Sequence, residues 1–266
     1  MADITVNILT GILPIEAQLH IRALCLFNNI CNQLESSVEK SLAKRQLLIK
    51  NNESASWFIV IKHMLRKYNL KEASWYLDNQ VKKTIWTVIV KKTVYSHWSG
   101  SIIQLLPLYK GLNFLTAENL ETGKVHPLFK INCHSAIDTA KLPIKSKLLT
   151  GTYILQSKRI RMYKNEIDPK CLLCAKEEEN TEHFILNCKS LSNVTNITLQ
   201  ELITTFNRLG IEFDELSAND KLQHILDVTP VVKTKKLSPA SVVEKQRLTR
   251  RLLYQLHIAR YKMICC

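Results

Sequence analysis

Apolar residues recur at spacings of three and four along most of this chain, a rhythm that predicts helices. The first is expected from about Pro14 to Leu34, carried by Ile15, Leu19, Arg22–Ala23, Leu26, Phe27 and Ile30, with Pro14 suited to a first helical position. A second should start at Ser54 or Ser56, either of which can cap it, and run through Trp57, Ile61, Leu65 and Tyr68. A third covers Val81 to about Leu106, with Ile85, Val88, Ile89, Val94 and Trp98 inside it. Between the first two lies a basic stretch with Lys40, Lys44, Arg45 and Lys50. Residues 107–133 hold Pro107, Gly111, Gly123 and Pro127 and read as a loop-rich connector.

The character changes at His134. Two helices are expected over residues 141–170, on either side of a break at Gly151. Thr181 can cap a short helix reaching Asn187, and Leu199–Leu209 and Asn219–Leu226 are further short helices. Residues 228–240 read as a linker with Lys233, Lys235 and Lys236. The last helix, about Ser241 to Met263, is amphipathic. Val242, Leu248 or Leu252, Leu256 and Ala259 line one face, and Lys245, Arg247, Arg250, Arg251 and Arg260 crowd the others. Six glycines and seven prolines in 266 residues leave few enforced turns, which supports a mainly α fold. No internal repeat or long low-complexity segment stands out.

Charge narrows the choice of partner. Thirty-seven Lys and Arg against 23 Asp and Glu leave a net +14, which favours polyanions: nucleic acid first, an anionic membrane second. The longest apolar runs, such as Trp57 to Ile61, are too short to span a bilayer, so no membrane partner is expected. Asp3 and the lack of a basic leading segment argue against a signal peptide, and the eight cysteines are not spread as a disulfide framework. Cys25 and Cys31 lie in an apolar helical stretch as reduced core thiols, and the expected location is intracellular, nucleus or cytoplasm.

Three of the cysteines fall in metal-ligand spacing. Cys171, Cys174, His183 and Cys188 form Cys-x2-Cys-x8-His-x4-Cys within 18 residues. A Cys-x2-Cys turn can point both sulfurs inward, and the His-x4-Cys half adds two more ligands. Three thiolates and one imidazole make a closed tetrahedral zinc site with no open position for water, which favours a structural over a hydrolytic role. Magnesium and calcium prefer oxygen ligands. The acidic residues between the ligands, Glu177 to Glu179 and Glu182, would repel phosphate, so the basic flanks are the better nucleic-acid contact. Three segments follow: a helical bundle-like region over 1–133, basic helices plus the zinc knuckle over 134–190, and a basic helical tail over 191–266.

The stretch LLTGTYILQSKRIRMYKNEIDPKCLLCAKEEENTEHFILNC, Leu148 to Cys188, closely resembles the reverse-transcriptase zinc-binding region of non-LTR retrotransposon polyproteins. The shared features stand at Asp168–Pro169, Cys171, Cys174, Glu177–Glu179, Glu182–His183 and Cys188. Upstream, GILPIEAQLHIRALCLFNNICNQ and ASWFIVIKHMLRKY are similar to the segment after the polymerase core of such polyproteins. The resemblance implies a module that helps a reverse transcriptase hold template RNA or target DNA, beside other retroelement proteins. It implies no polymerase here, because that chemistry needs an adjacent Asp pair to hold two metal ions. None of the seven Asp is adjacent to another, and no nuclease-like cluster of carboxylates and lysine stands out, so no enzyme is expected. The chain would correspond to a truncated element remnant or a separately expressed tail.

Lys158, Arg159, Arg161 and Lys164 adjoin the metal site and are the first choice for phosphate contact; Arg247, Arg250 and Arg251 are the second. The latter helix could instead meet a partner, or an anionic membrane through Leu252 and Leu253. Tyr153 and Tyr163 fit either a core or stacking on unpaired bases. Trp57, Trp75, Trp86 and Trp98 read as core, and His20 and His97 as satisfied core histidines. Cys133 and His134 are neighbours, and side chains adjacent in sequence rarely face one another. The competing reading is a zinc-stabilised protein-interaction scaffold, or an element remnant without function.

Overall fold

The computed structural model describes residues 3–116, 120, 122–129, 136–163, 167–227 and 238–265. Cys133, His134, Lys164 and the expected linker lysines Lys233, Lys235 and Lys236 lie outside the described residues. Among those described, the chain forms α1 (Asp3–Thr10), α2 (Ile15–Cys31), α3 (Val38–Ile49), α4 (Trp57–Lys67), α5 (Ala73–Asp78) and α6 (Lys83–Leu105). It continues with α7 (Ala136–Leu149), α8 (Gln156–Met162), α9 (Lys189–Arg208), α10 (Ala218–Leu226) and α11 (Pro239–Cys265). The fold is mainly α. Its one β feature among the described residues is an antiparallel bridge between Lys170 and Glu178. No single described helix is long and apolar enough to cross a membrane.

Two compact units result, Gly11–Leu105 and Met1–Thr10 together with Leu106–Cys266. This departs from the three segments expected. The break falls after α6 rather than at residue 133, and the tail folds with the cysteine-rich segment. The reason is α11, which packs along both α9 and α7 and so needs residues on either side of the knuckle to cover it.

In the first unit α2 lies along α6, with α3, α4 and α5 around them. Leu24, Phe27, Ile59, Ile61, Leu65, Val90 and Val94 are fully buried there. Trp86 is 1% exposed and its Nε1 donates to the Leu24 carbonyl at 2.9 Å, so its polar edge is satisfied. Trp75, at 36% exposure, sits at the surface instead of the expected core, with the Lys71 ammonium 3.6 Å from its ring centroid. The basic stretch after α2 is helical. Ser37 caps α3 by accepting from the Lys40 N–H at 3.2 Å, and the buried Lys40 reaches Glu35 at 2.6 Å.

The larger unit is built around α11. Leu248, Leu252, Leu253 and Leu256 are buried, together with Leu202 and Phe206 of α9 and Leu148 and Leu149 of α7. Because neighbours cover two sides of α11, its buried surface is wider than one amphipathic stripe. Lys245, Arg250 and Arg260, expected on outward faces, are 0%, 4% and 7% exposed. The core therefore carries charge. Lys145 Nζ donates to Gln246 Oε1 at 2.7 Å and Thr249 Oγ1 at 2.6 Å. Burial holds this ammonium well below its ordinary range, with Asp227 opposing and Lys245 and Arg250 reinforcing the shift.

Lys245 is the least compensated of these groups. Its Nζ has no hydrogen-bond partner among the described residues and sits 4.3 Å from the Phe206 ring centroid. Burial pushes its ammonium down to about 7, against the attraction of Asp227. An unfolded lysine titrates near ~10.4, so between these values the unfolded chain binds more protons and stability rises with pH. Below about 7 the full cost of the buried ammonium is present. Lys245→Met is expected to stabilise this unit at neutral pH by about 1–4 kcal/mol. The gain should shrink as pH is raised toward the lysine range, which denaturant unfolding of both proteins at the two ends of that window checks.

Candidate metal centre

Residues 168–188 form a tight knuckle in the larger unit. Its first half is closed by backbone: Cys171 N–H donates to Glu177 O at 2.8 Å, Glu179 N–H to Pro169 O at 2.9 Å, and Ala175 N–H to Cys171 O at 2.8 Å. The turn requires φ of +53° at Ala175, a left-handed conformation that a residue with a Cβ adopts only under constraint. The second half is a π-helical turn, His183–Asn187, closed by Cys188 N–H to His183 O at 2.8 Å. That wider turn brings residues five apart onto one side, so His183 and Cys188 both face the first half. Asn180, one residue before the expected cap Thr181, accepts the His183 N–H on its Oδ1 at 2.8 Å.

The four expected ligands meet. One ligand atom from each of Cys171, Cys174, His183 and Cys188 lies within 4.8 Å of the others, so the group can hold a metal ion. Cys171 Sγ and Cys188 Sγ are 3.8 Å apart, and Cys174 Sγ is 3.3 Å from His183 Nε2. A tetrahedral ion with Zn–S bonds of about 2.3 Å requires sulfur–sulfur edges of about 3.8 Å. A disulfide needs about 2.0 Å, and these thiols are unpaired. Cys171, His183 and Cys188 are buried, at 2%, 4% and 5% exposure, and Cys174 is half-buried.

Electrostatics at the cluster suit a cation. Burial, reinforced by Cys171 beside it, pushes the Cys188 thiol up to about 12. Burial also raises Cys174, but the backbone N–H groups of Lys176 and Glu177, with Cys171 and His183, bring it down to about 7. Crowded thiols resist sharing negative charge, and a dication among them removes that obstacle by deprotonating its ligands outright.

Two residues of the acidic run have roles that spacing alone concealed. Glu177 Oε2 lies 2.8 Å from His183 Nδ1, which fixes the imidazole so that Nε2 faces the sulfurs. Such carboxylates orient metal-bound histidines, and removing one commonly costs about 10–100-fold in metal affinity. Glu179 turns inward, 1% exposed. It accepts from Arg260 Nε and Nη2 at 2.7 and 2.9 Å and from the Gln156 backbone N–H at 2.9 Å. Burial opposes the Arg260 charge, but the Glu179 bonds hold the guanidinium above its ordinary range. One carboxylate thus ties the knuckle to the starts of α8 and the end of α11. Phe184 completes the attachment, stacked on Tyr153 with centroids 5.4 Å apart, while the Tyr153 hydroxyl meets His257 Nδ1 at 2.8 Å.

The expected phosphate contacts are not equivalent. Arg161 is exposed at the end of α8. Lys158 and Arg159 are half-buried; Lys158 Nζ donates to Gly151 O at 2.7 Å and Arg159 Nη1 to Gln156 Oε1 at 3.3 Å. Arg247 is exposed, and Arg251 pairs with Glu201 at 3.3 Å. Arg250 is a correction: it is buried and its Nε donates to Gln246 O at 3.3 Å, because α11 presents that position to the core. Leu252 and Leu253 are equally buried and offer nothing to a membrane. Tyr153 is core and Tyr163 is 52% exposed. Sequence reasoning passed over Arg208, which joins Arg247 and Arg251 along a groove of about 880 Å³ between α9 and α11, paired to Glu244 at 2.9 Å.

Fold and site together define a mainly α-helical protein with a Cys3His cluster able to hold a metal ion. Comparison with protein-family models, curated proteins and solved structures gave no match.

Proposed function

We propose that this protein is a zinc-braced nucleic-acid-binding module, in which the ion fixes the knuckle and the adjoining basic residues meet phosphate. The observation that carries this reading is the Cys3His cluster, with zinc-compatible edges, held one carboxylate away from α8 and its cations. The ion would be held by Cys171, Cys174, His183 and Cys188 and would supply structure, since all four positions come from the chain. The net charge of +14 supports a polyanionic partner. The resemblance of Leu148–Cys188 to retroelement zinc-binding regions supports RNA or DNA held beside a reverse transcriptase, and a non-catalytic role for this chain.

In this reading Lys158 and Arg159 are positioned by their bonds to Gly151 and Gln156, and Arg161 projects to the strand. Arg159→Glu with Arg161→Glu should weaken RNA or DNA binding about tenfold or more and flatten its salt dependence, because each neutralised phosphate adds about 0.7–0.9 to the slope of log affinity against log salt. Unchanged affinity in anisotropy titrations would reject α8 as the contact. A second reading, a protein-interaction scaffold, is favoured by a largely apolar groove of about 410 Å³ formed by Val194, Tyr254, Ile258, Ala259 and Met263. It predicts zinc without nucleic-acid binding at physiological salt.

A further inference from the structure

A cleft of about 560 Å³ opens beside the knuckle, between the turn at Lys110–Phe114 and the segment from Gly151 to Met162. Two glycines form its wall. Gly151 has φ of +60°, and a Cβ there would stand 2.4 Å from the Gly111 carbonyl oxygen, so the backbones touch only because Gly151 carries no side chain; a Cβ on Gly111 would sit in ordinary contact, 3.8 Å from the Thr150 carbonyl oxygen. Leu148, Leu155 and Tyr153, at 2%, 3% and 8% exposure, make an apolar floor. Lys110 and Arg161 are exposed at the rim, and Lys158 is fixed on the wall by its bond to Gly151 O. Among the described residues Glu178 is the one carboxylate in the lining. Asn113 and Asn180 add amide groups that can both donate and accept.

We infer that this cleft takes one unpaired nucleotide of a bound single strand, base on the apolar floor and flanking phosphates on Lys110 and Arg161. The volume lies in the range of small-ligand pockets, about 300–1,000 Å³, and is far too small for duplex. An apolar floor beneath a cationic rim matches a flat base attached to phosphate, and the amides suit a base edge. A base already out of a helix enters at least cost, so the cleft selects single strands over duplex. This inference rests on the nucleic-acid reading and shares Arg161 with it, but adds Lys110 and the apolar floor, which that reading does not use.

The test compares one short oligonucleotide, single-stranded and annealed to its complement, binding to the zinc-loaded full chain by anisotropy. Lys110→Glu and Ser157→Phe, the second filling the cleft, should each weaken single-strand binding about tenfold while duplex affinity changes less than about twofold. Arg159→Glu should weaken both. Equal loss on both ligands, or no loss in a variant with an unchanged thermal melt, overturns the cleft and leaves the α8 reading standing. If the unaltered chain binds neither ligand, the nucleic-acid reading itself fails. Lys110 is exposed and Lys110→Glu carries the test should Ser157→Phe fail to fold.

Discussion

Replacing Arg260 with methionine is expected to destabilise the larger unit by about 3–5 kcal/mol. The loss comes less from the missing attraction than from what remains. Glu179 is 1% exposed and would keep one backbone N–H, that of Gln156, in place of three donors. An uncompensated buried carboxylate is among the most costly defects a core can hold. Adding Glu179→Leu should restore only part of the stability, because the Gln156 N–H at the start of α8 then lacks its acceptor. Urea unfolding of the single and double variants measures both effects. A single-variant loss below about 1 kcal/mol would mean the pair is far more solvated than its burial implies.

Removing the metal should have the other large effect, and a local one. Structural zinc contributes about 10–16 kcal/mol in small finger peptides, where it is nearly the whole fold. Here Leu202, Phe206, Leu252, Leu253 and Leu256 are buried where α9 and α11 pack on each other, and none of them is a ligand. Chelation is therefore expected to release residues 168–188 and the start of α8 while the middle of α11 and the second half of α9 keep their packing. Hydrogen exchange with and without chelator should show fast exchange confined to the knuckle and α8. Uniform loss of protection would make the ion part of the global core; no change would mean the knuckle stands without it.

The parts of this structure legible in sequence are those set by local pattern. The Cys-x2-Cys-x8-His-x4-Cys spacing found the whole cluster, and apolar periodicity found α2, α4 and α6 to within a few residues. Elements whose apolar residues are few were missed. The lysines of α3 hide a helix anchored by the Ser37 cap and the buried Ala43, and α9 begins ten residues before its expected start because Ser192, Asn193 and Asn196 resemble a loop. Long-range pairing was invisible. Glu179 and Arg260 are 81 positions apart, so one reads as part of an acidic tip and the other as a surface cation until the fold joins them. The same holds for Lys145, Lys245 and Arg250, buried by the two-sided covering of α11.

In the proposed role a metal-braced knuckle holds basic residues in place for nucleic acid. That role is tested most directly by titrating a labelled oligonucleotide with the full chain, zinc-loaded and chelated, at a fixed physiological salt. The expected result is one zinc per loaded chain and binding that weakens at least about tenfold on chelation and returns when zinc is restored. Equal affinity in both states, or a loaded chain that binds no oligonucleotide, would contradict it.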